Sequence, residues 1–148
     1  MTLEVLLRYR TRRPWAPAPV TLRGWARLAA AGRGGELGIR VVGSAESRAL
    51  NLRYRGKPAP TNVLSFPMPA GRGQAHAIIG DIVVCAPLVA REAREQGKAL
   101  RAHWAHMVIH GTLHLLGFDH ERATDARRME GRERELLARL GFANPYGD

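Results

Sequence analysis

Residues 110–120 read HGTLHLLGFDH, and this segment closes a long helix that the hydrophobic pattern predicts over about 100–116. His110 and His114 lie about 40° apart around the helix axis and about 6 Å apart along it, so both imidazoles can reach one ion. Gly117 can adopt the left-handed conformation that ends a helix. The chain can therefore turn there and bring His120 to the same ion.

This spacing predicts a metal site formed by His110, His114 and His120, hereafter the histidine triad. Zinc held by three neutral histidines keeps its fourth coordination position open, which is typical of catalytic zinc sites. Three unrelated histidines are the alternative, and the regular spacing disfavours it. The pattern is similar to the metzincin zinc signature, but Gly111 stands where metalloproteases carry a general-base glutamate. Asp119 could act as a base or as an acceptor that orients a ligand imidazole.

Three further histidines lie outside the triad. His103 and His106 precede it on the same helix, and we interpret them as flanking or supporting residues because the opposite side of this helix is apolar. That apolar side carries Trp104, Met107, Val108, Gly111 and Leu115. His76 lies at a loop-to-strand junction and is assigned no role.

In the rest of the chain, the sequence pattern predicts alternating strands and helices. Strands are predicted over 3–9, 37–42, 63–66 and 76–85, and helices over 21–31, 45–54, 87–96 and 124–140. The order βαβαββααα is typical of an α+β fold in which helices pack on a small mixed sheet of about four strands.

Two local features refine this prediction. Ser44, with Ser47 behind it, is expected to cap the second helix, which would then bury Ala49 and Leu50. Asp81 is expected to interrupt the fourth strand. Residues 68–75, MPAGRGQA, are predicted to form a loop.

The length of 148 residues fits one domain over 1–148, since a chain of this size buries roughly 70% of its unfolded surface. The best linker candidate, RRPWAPAP at 12–19, is short. No stretch approaches the roughly 18 apolar residues that a membrane span needs, and Glu4 and Arg8 stand where a signal peptide is apolar. We therefore expect a cytoplasmic protein without a membrane partner. The single Cys85 cannot form an internal disulfide.

The net charge of +10 is unevenly distributed along the chain. Residues 1–60 carry 12 Arg or Lys against 3 acids, whereas residues 61–148 carry 11 against 10. A one-sided positive field attracts a polyanion, because each neutralised phosphate releases counterions. Nucleic acid is the natural partner, although 21 of the 23 basic residues are Arg, which codon bias in a GC-rich genome would also produce.

A second segment, NLRYRGKPAPTNVLSFP at 51–67, offers cations and hydroxyls on adjacent edges. Arg55 and Lys57 follow a helix, while Thr61 and Ser65 lie in or before a short strand. An Arg guanidinium binds phosphate oxygens bidentately and could stabilise the charge that grows on a phosphodiester. Spacing alone favours a plainer interpretation, in which Thr61 and Ser65 satisfy turns and Arg55 is a solvated helix end.

Two segments resemble the hallmark motifs of the YbeY family, bacterial endoribonucleases also called rRNA maturation factors. They are HGTLHLLGFDH, with WAHMV before it, and NLRYRGKPAPTNVLSFP. IIGDIVVC resembles the family's central strand, and the likeness covers residues 40–120. The resemblance implies zinc held by the histidine triad and places Arg55 at the family's important arginine, against the scissile phosphate. Asn62 stands where the family often has aspartate.

The resemblance also implies a single-strand-specific endoribonuclease that matures the 16S rRNA 3′ end and serves ribosome quality control, with the small ribosomal subunit and its associated factors as partners. In our hypothesis, zinc-bound water attacks a phosphodiester whose oxygens Arg55 and the metal hold. The candidate catalytic residues are Arg55, His114 and Asp119. The candidate substrate-binding residues are Arg55, Lys57, Thr61 and Ser65. Two rivals are a metalloprotease-like hydrolase and a non-enzymatic ribosome-associated zinc protein.

Overall fold

The computed structural model describes residues 2–68 and 77–147, which form four strands and five helices. The strands are β1 (Leu3–Tyr9), β2 (Gly35–Val42), β3 (Val63–Pro67) and β4 (Ile78–Cys85). The helices are α1 (Pro19–Ala30), α2 (Ser44–Arg55), α3 (Ala86–Glu95), α4 (Leu100–Leu115) and α5 (Ala123–Arg139). The predicted order and fold class are confirmed. His76 and most of the predicted 68–75 loop lie outside the described residues.

The four strands form one mixed sheet in the order β1-β2-β4-β3. β1, β2 and β4 run parallel, and β3 pairs antiparallel with β4. Asp81 does not interrupt β4, because it pairs with Gly38 of β2 and with Phe66 of β3. Successive side chains of a strand point to opposite faces, so Asp81 is exposed on one face while Ile82 enters the core on the other.

The main core lies between one face of the sheet and helices α1, α4 and α5. α4 is central to this core, since eleven of its sixteen residues are buried. Gly111 lets the helix approach the sheet closely: a Cβ at this position would lie 2.9 Å from Ile82 Cγ2. Near its C-terminal end, α4 leaves two polar side chains accessible, since His110 is half-buried and His114 is exposed.

α2 packs near the opposite face of the sheet, beside a smaller apolar cluster. Its buried side differs from the prediction, because Ala49 is exposed and Leu50 is only half-buried. Ser44 does not cap the helix either: the helix starts at Ser44 itself, Gly43 is the N-cap, and no side chain bonds there.

The buried side chains of α2 are polar. The Ser47 hydroxyl donates to the Thr61 carbonyl at 3.0 Å, and the Asn51 amide donates to the Ala59 carbonyl at 2.8 Å. These bonds tie the α2–β3 connection, residues 56–62, to the helix. The expectation of an apolar buried side was wrong because these positions hold the connection and do not fill a core.

The RRPWAPAP segment packs against the rest of the structure. Ala16 and Pro17 are buried, and the Tyr9 hydroxyl of β1 donates to the Pro17 carbonyl at 2.5 Å. Among residues 2–68 and 77–147, no helix has the length and apolar character needed to cross a membrane.

Candidate metal centre

The histidine triad converges at the C-terminal end of α4. The ring centroids of His110 and His114 are 6.4 Å apart, and the His120 centroid lies 5.7 Å and 5.6 Å from them. Imidazoles that share one tetrahedral zinc, with Zn–N bonds of about 2.0–2.1 Å, have centroids roughly 5 Å apart. The structure thus brings the three predicted ligands together, and a small closure would let them share an ion.

The turn after α4 positions His120. Gly117 has φ 101°, which residues with a side chain rarely adopt. The Phe118 N–H donates to the Leu113 carbonyl at 3.1 Å, and the Gly117 N–H donates to the His114 carbonyl at 3.2 Å. These bonds satisfy the last carbonyls of the helix and reverse the chain, as the sequence predicted for this glycine.

Two rings of the triad are oriented through their Nδ1 atoms. His114 Nδ1 lies 3.0 Å from the Phe118 carbonyl oxygen, which can only accept, so Nδ1 carries the hydrogen. His110 Nδ1 lies 2.6 Å from Glu133 Oε2. His110 therefore also carries its hydrogen on Nδ1, and the Nε2 lone pairs of His110 and His114 remain available to a metal.

Glu133 of α5 is the polar residue that holds His110. It is fully buried, and the hydroxyl of Tyr146 also donates to its carboxylate. Burial by itself would raise the pKa of Glu133, but the hydrogen bonds from His106 and His110 outweigh it and lower the pKa to about 2. The carboxylate is therefore ionised and acts as an acceptor. We call His106, His110, Glu133 and Tyr146 the Glu133 network.

Sequence reasoning missed Glu133 and Tyr146. Both are distant in sequence from the triad, and a glutamate on a charged helix looks like a solvated residue. One signal was available, because Glu133 falls in the buried stripe of α5 with Met129, Leu136 and Leu137. A charged residue at a core position indicates a specific partner.

Ligand atoms of His106, His110 and Glu133 all lie within 4.8 Å of one another, so this group could also hold a metal ion. Two ligands of one tetrahedral zinc are roughly 3.3 Å apart when its bonds are about 2.0–2.1 Å long. His110 Nδ1 and Glu133 Oε2 are closer, at 2.6 Å, which is a hydrogen-bond distance. We therefore interpret this group as a hydrogen-bond network that supports the triad.

His103 belongs to a separate buried network. Its Nε2 lies 2.9 Å from Glu92 Oε1, and the Asn62 amide donates to the same carboxylate oxygen at 3.1 Å. Burial lowers the pKa of His103, against the opposing effect of Glu92. His103 therefore links α4 to Glu92 of α3 and lies apart from the triad.

The four predicted substrate-binding residues lie on two elements. Arg55 ends α2, and Lys57 and Thr61 lie in the α2–β3 connection. Within residues 2–68 and 77–147, the side chains of Arg55 and Lys57 make no hydrogen bond or ion pair, with the triad or with any other residue. Ser65 of β3 is different: its hydroxyl donates to the Gly111 carbonyl at 3.2 Å, next to His110.

Asp119 lies in the turn between His114 and His120. Its Oδ1 accepts the Glu121 N–H at 2.8 Å. The acceptors found on triad imidazoles are Glu133 and the Phe118 carbonyl, so the orienting role considered for Asp119 falls to those groups at His110 and His114. A cavity of about 350 Å³ adjoins the turn, and its lining includes Asp119, Asp125 and Arg128.

A larger cavity of about 570 Å³ lies on the other face of the sheet, beside α2. Its lining includes Arg8, Arg40, Tyr54, Phe66 and Asp81. None of its described lining residues is a histidine or a cysteine.

Comparison with known proteins settles the family. The family model described as Endoribonuclease YbeY matches residues 22–141. The chain belongs to the YbeY family. Endoribonuclease YbeY of Halorhodospira halophila is 56% identical over 136 residues, which are 88% of this chain and 88% of the relative. Endoribonuclease YbeY of Stenotrophomonas maltophilia strain R551-3 is 52% identical over 150 residues, covering 97% of this chain and 93% of the relative.

The resemblance drawn from two motifs is thus confirmed, and the match extends beyond residues 40–120. Membership of the YbeY family supports an endoribonuclease role, that of a hydrolase acting on RNA. A solution structure of a Thermotoga maritima protein is also similar, with a TM-score of 0.59 and 22% identity over 97% of this chain and 99% of that one. At this identity, the likeness supports the fold alone.

Proposed function

We propose that this YbeY-family chain is a zinc-dependent endoribonuclease that cleaves single-stranded RNA, with the histidine triad as its zinc ligands. The convergence of three imidazoles, two of them with Nδ1 engaged, carries the proposal. Neutral imidazoles with available Nε2 atoms suit zinc, and three of them leave a coordination position for chemistry. His114 and His120 are exposed, which gives a polymeric substrate access.

A zinc ion held there would supply Lewis-acid chemistry and make water a better nucleophile near neutral pH. In our proposal, Arg55 binds the phosphate at the scissile bond, because a guanidinium can bond two oxygens and stabilise growing negative charge. Lys57 and Thr61 would contact the adjoining backbone. Ser65 lies against α4 and would bind substrate nearest the triad.

We assign Asp119 to proton movement. Its place between His114 and His120 puts a carboxylate in the turn that carries the third ligand, and only Oδ1 is engaged by the Glu121 N–H. Oδ2 can accept a proton from the attacking water and return it to the leaving oxygen. The proposed catalytic residues are therefore Arg55, His114 and Asp119.

The metalloprotease alternative is disfavoured by packing around Gly111. A Cβ there would lie 2.9 Å from Ile82 Cγ2 and 3.2 Å from Val63 Cγ2, so this position faces the sheet. A glutamate cannot occupy it without moving α4. The residue next to the first ligand thus cannot serve as a protease base, and purified protein should leave unstructured casein intact.

The direct test compares wild type with His114→Ala and Arg55→Ala on single-stranded RNA, with the zinc content of each protein measured. We expect His114→Ala to lose zinc and cleavage, and Arg55→Ala to keep zinc but cleave poorly. Full activity in a zinc-free His114→Ala protein would eliminate the scheme. Three histidines also accept nickel, cobalt or copper, so the metal is identified in protein purified without added metal.

In the cell, we propose that the enzyme matures the 16S rRNA 3′ end and serves ribosome quality control in the cytoplasm, together with the small ribosomal subunit and its factors. We further propose that residues 1–148 act as one domain. Cells that depend on Arg55→Ala should accumulate immature 16S 3′ ends. The rival ribosome-associated protein, in which zinc is structural, predicts normal processing in the same cells.

A further inference from the structure

The Glu133 network uses both oxygens of one carboxylate. Oε2 accepts from His110 Nδ1 at 2.6 Å, while Oε1 accepts from the Tyr146 hydroxyl and lies 3.5 Å from His106 Nε2. Donors on both sides fix the rotation of the carboxylate about its Cγ–Cδ bond. The orientation of the carboxylate plane toward His110 is therefore determined by the partners of Oε1.

Glu133 occupies a core position, where an apolar side chain would be expected to stabilise the folded protein more. It is 0% exposed, and its neighbours in the buried stripe of α5 are Met129, Leu136 and Leu137. Burying a carboxylate is unfavourable unless it is fully hydrogen-bonded, and apolar residues of similar volume are often at least as stabilising. A purely structural role therefore does not account for a glutamate here.

Tyr146 reaches Glu133 from the C-terminal tail, residues 141–147. The Lys98 ammonium donates to the Pro145 carbonyl at 3.0 Å, and the Tyr146 N–H donates to Asn144 Oδ1 at 3.0 Å. The Tyr146 ring also lies edge-on to His106, with centroids 5.5 Å apart. The tail is thus held so that the hydroxyl of Tyr146, a residue that is 46% exposed, reaches the buried Glu133 carboxylate.

We infer that Tyr146 and Glu133 are positioning residues for the metal centre: the tail hydroxyl fixes the Glu133 carboxylate, which fixes the tautomer and the ring plane of His110. This inference rests on the proposed function, because it requires the triad to bind a metal. Neither residue touches the metal or the substrate. Their effect is on how tightly, and in what geometry, the triad holds its ion.

Tyr146→Phe removes one hydroxyl and keeps the ring against His106. We expect the zinc dissociation constant to rise about tenfold, at the low end of the roughly 10- to 100-fold effect of such outer partners. Glu133→Gln removes the charge, and we expect a larger rise, toward a hundredfold. The visible absorption bands of the cobalt-substituted protein should shift in both variants, because they report ligand geometry.

Tyr9→Phe is the matched control. It also removes a phenolic hydroxyl that donates to one oxygen, here the Pro17 carbonyl, but it lies on β1; the Tyr146 hydroxyl has one further neighbour, His106 Nε2 at 3.3 Å. The metal-free forms of Tyr146→Phe and Tyr9→Phe should lose similar stability to urea. Only Tyr146→Phe should weaken zinc binding, measured by competition with a chromogenic chelator, and only it should change the cobalt spectrum.

Wild-type zinc affinity and an unchanged cobalt spectrum in both Tyr146→Phe and Glu133→Gln would overturn the inference, as would equal weakening by Tyr9→Phe. The wild-type protein separates this failure from that of the proposed function. If wild type binds one zinc per chain and cleaves RNA, the triad stands and only the positioning role is lost. If wild type binds no zinc, the proposed function itself fails.

Discussion

Two histidines of α4, His103 and His114, show how the two ends of one helix use the same side chain differently. His103 is 3% exposed, its Nε2 is bonded to Glu92, and its Nδ1 is buried without a hydrogen-bond partner among the described residues. His114 is exposed and bonded through Nδ1 to the Phe118 carbonyl. The tautomers are therefore opposite, and only His114 directs an available nitrogen to a shared space.

The comparison shows that a histidine is able to bind a metal when the protein hydrogen-bonds to its Nδ1 and leaves its Nε2 unbonded. A bond at Nδ1 leaves Nε2 pointing away from the backbone, toward solvent or a metal, whereas a bond at Nε2 uses the reaching atom inside the protein. The two histidines also differ in burial, so they should contribute differently to the free energy of unfolding. Removing His103 should affect folding, and removing His114 should affect chemistry.

The largest expected effect is at the exposed end. His114→Ala removes a proposed zinc ligand, so RNA cleavage should fall by more than roughly a hundredfold, beyond what loss of an outer partner causes. Stability of the metal-free protein should change by no more than about 0.5 kcal/mol, since the side chain is exposed. Cleavage of a labelled single strand and urea unfolding measure the two quantities. A large loss of metal-free stability would contradict this account of His114.

His103→Ala should give the opposite result. It empties a buried site and removes a donor from Glu92, so the free energy of unfolding should drop by about 2–3 kcal/mol. The zinc content per folded chain should stay at the wild-type value. Urea unfolding and metal analysis test this pair of outcomes, and zinc loss from the folded His103→Ala protein would show that the two ends of α4 are not independent.

Gly111 lies between His103 and His114, where α4 approaches the sheet closely. Gly111→Ala should destabilise the protein by about 1 kcal/mol, because overpacking against Ile82 exceeds the gain in helix propensity of about 1 kcal/mol. Gly131→Ala in α5 is the control, since its Cβ would meet only Arg134 Nη2 at 3.7 Å. The urea midpoint of Gly111→Ala should fall below that of wild type, and the midpoint of Gly131→Ala should rise above it. Movement of both midpoints in the same direction would argue against the close contact at Gly111.

The smallest effect is expected at Asn62, which donates to both oxygens of Glu92 at 3.1 and 3.3 Å. Asn62→Asp would face one carboxylate with another, so the folded protein would bind a proton more tightly than the unfolded chain does. The stability of this variant relative to wild type should therefore fall as the pH rises from about 4, near the ordinary pKa of a carboxyl group, to neutral, by about 1 kcal/mol. Metal-free protein, unfolded in urea across this range, provides the test, and a pH-independent difference would refute it.

The fold was largely predictable from sequence because apolar periodicity and glycine or proline positions mark its elements. The prediction failed for the buried side of α2, where Ser47 and Asn51 are buried by bonding to backbone carbonyls some residues away. Hydrophobic patterning carries no information on such contacts. For the candidate site, the spacing HxxxHxxGxxH placed the triad, since its geometry is local to one helix and turn.

Glu133 and Tyr146 could not be placed in this way. The contact of Glu133 with His110, and that of Tyr146 with Glu133, depend on how α5 and the tail fold back against α4, which local spacing does not encode. Arg55 shows the converse. Its assignment came from resemblance to a family, and the structure places it at the end of α2, where its side chain makes no hydrogen bond or ion pair to the described residues.

The α2–β3 connection has a consequence for the entropy of substrate binding. Ser47, Arg48 and Asn51 each donate to a carbonyl of this segment, so its backbone is ordered before any RNA arrives. In the proposed function, docking an RNA strand on Arg55 and Lys57 would restrict mainly the rotamers of these two side chains, at roughly 0.5–1.5 kcal/mol per side chain. A loose segment would add about 1–2 kcal/mol for every residue whose backbone had to be fixed. On this proposal, Arg55 and Lys57 adjoin a backbone that is already ordered, so most of their attraction for phosphate would appear as affinity.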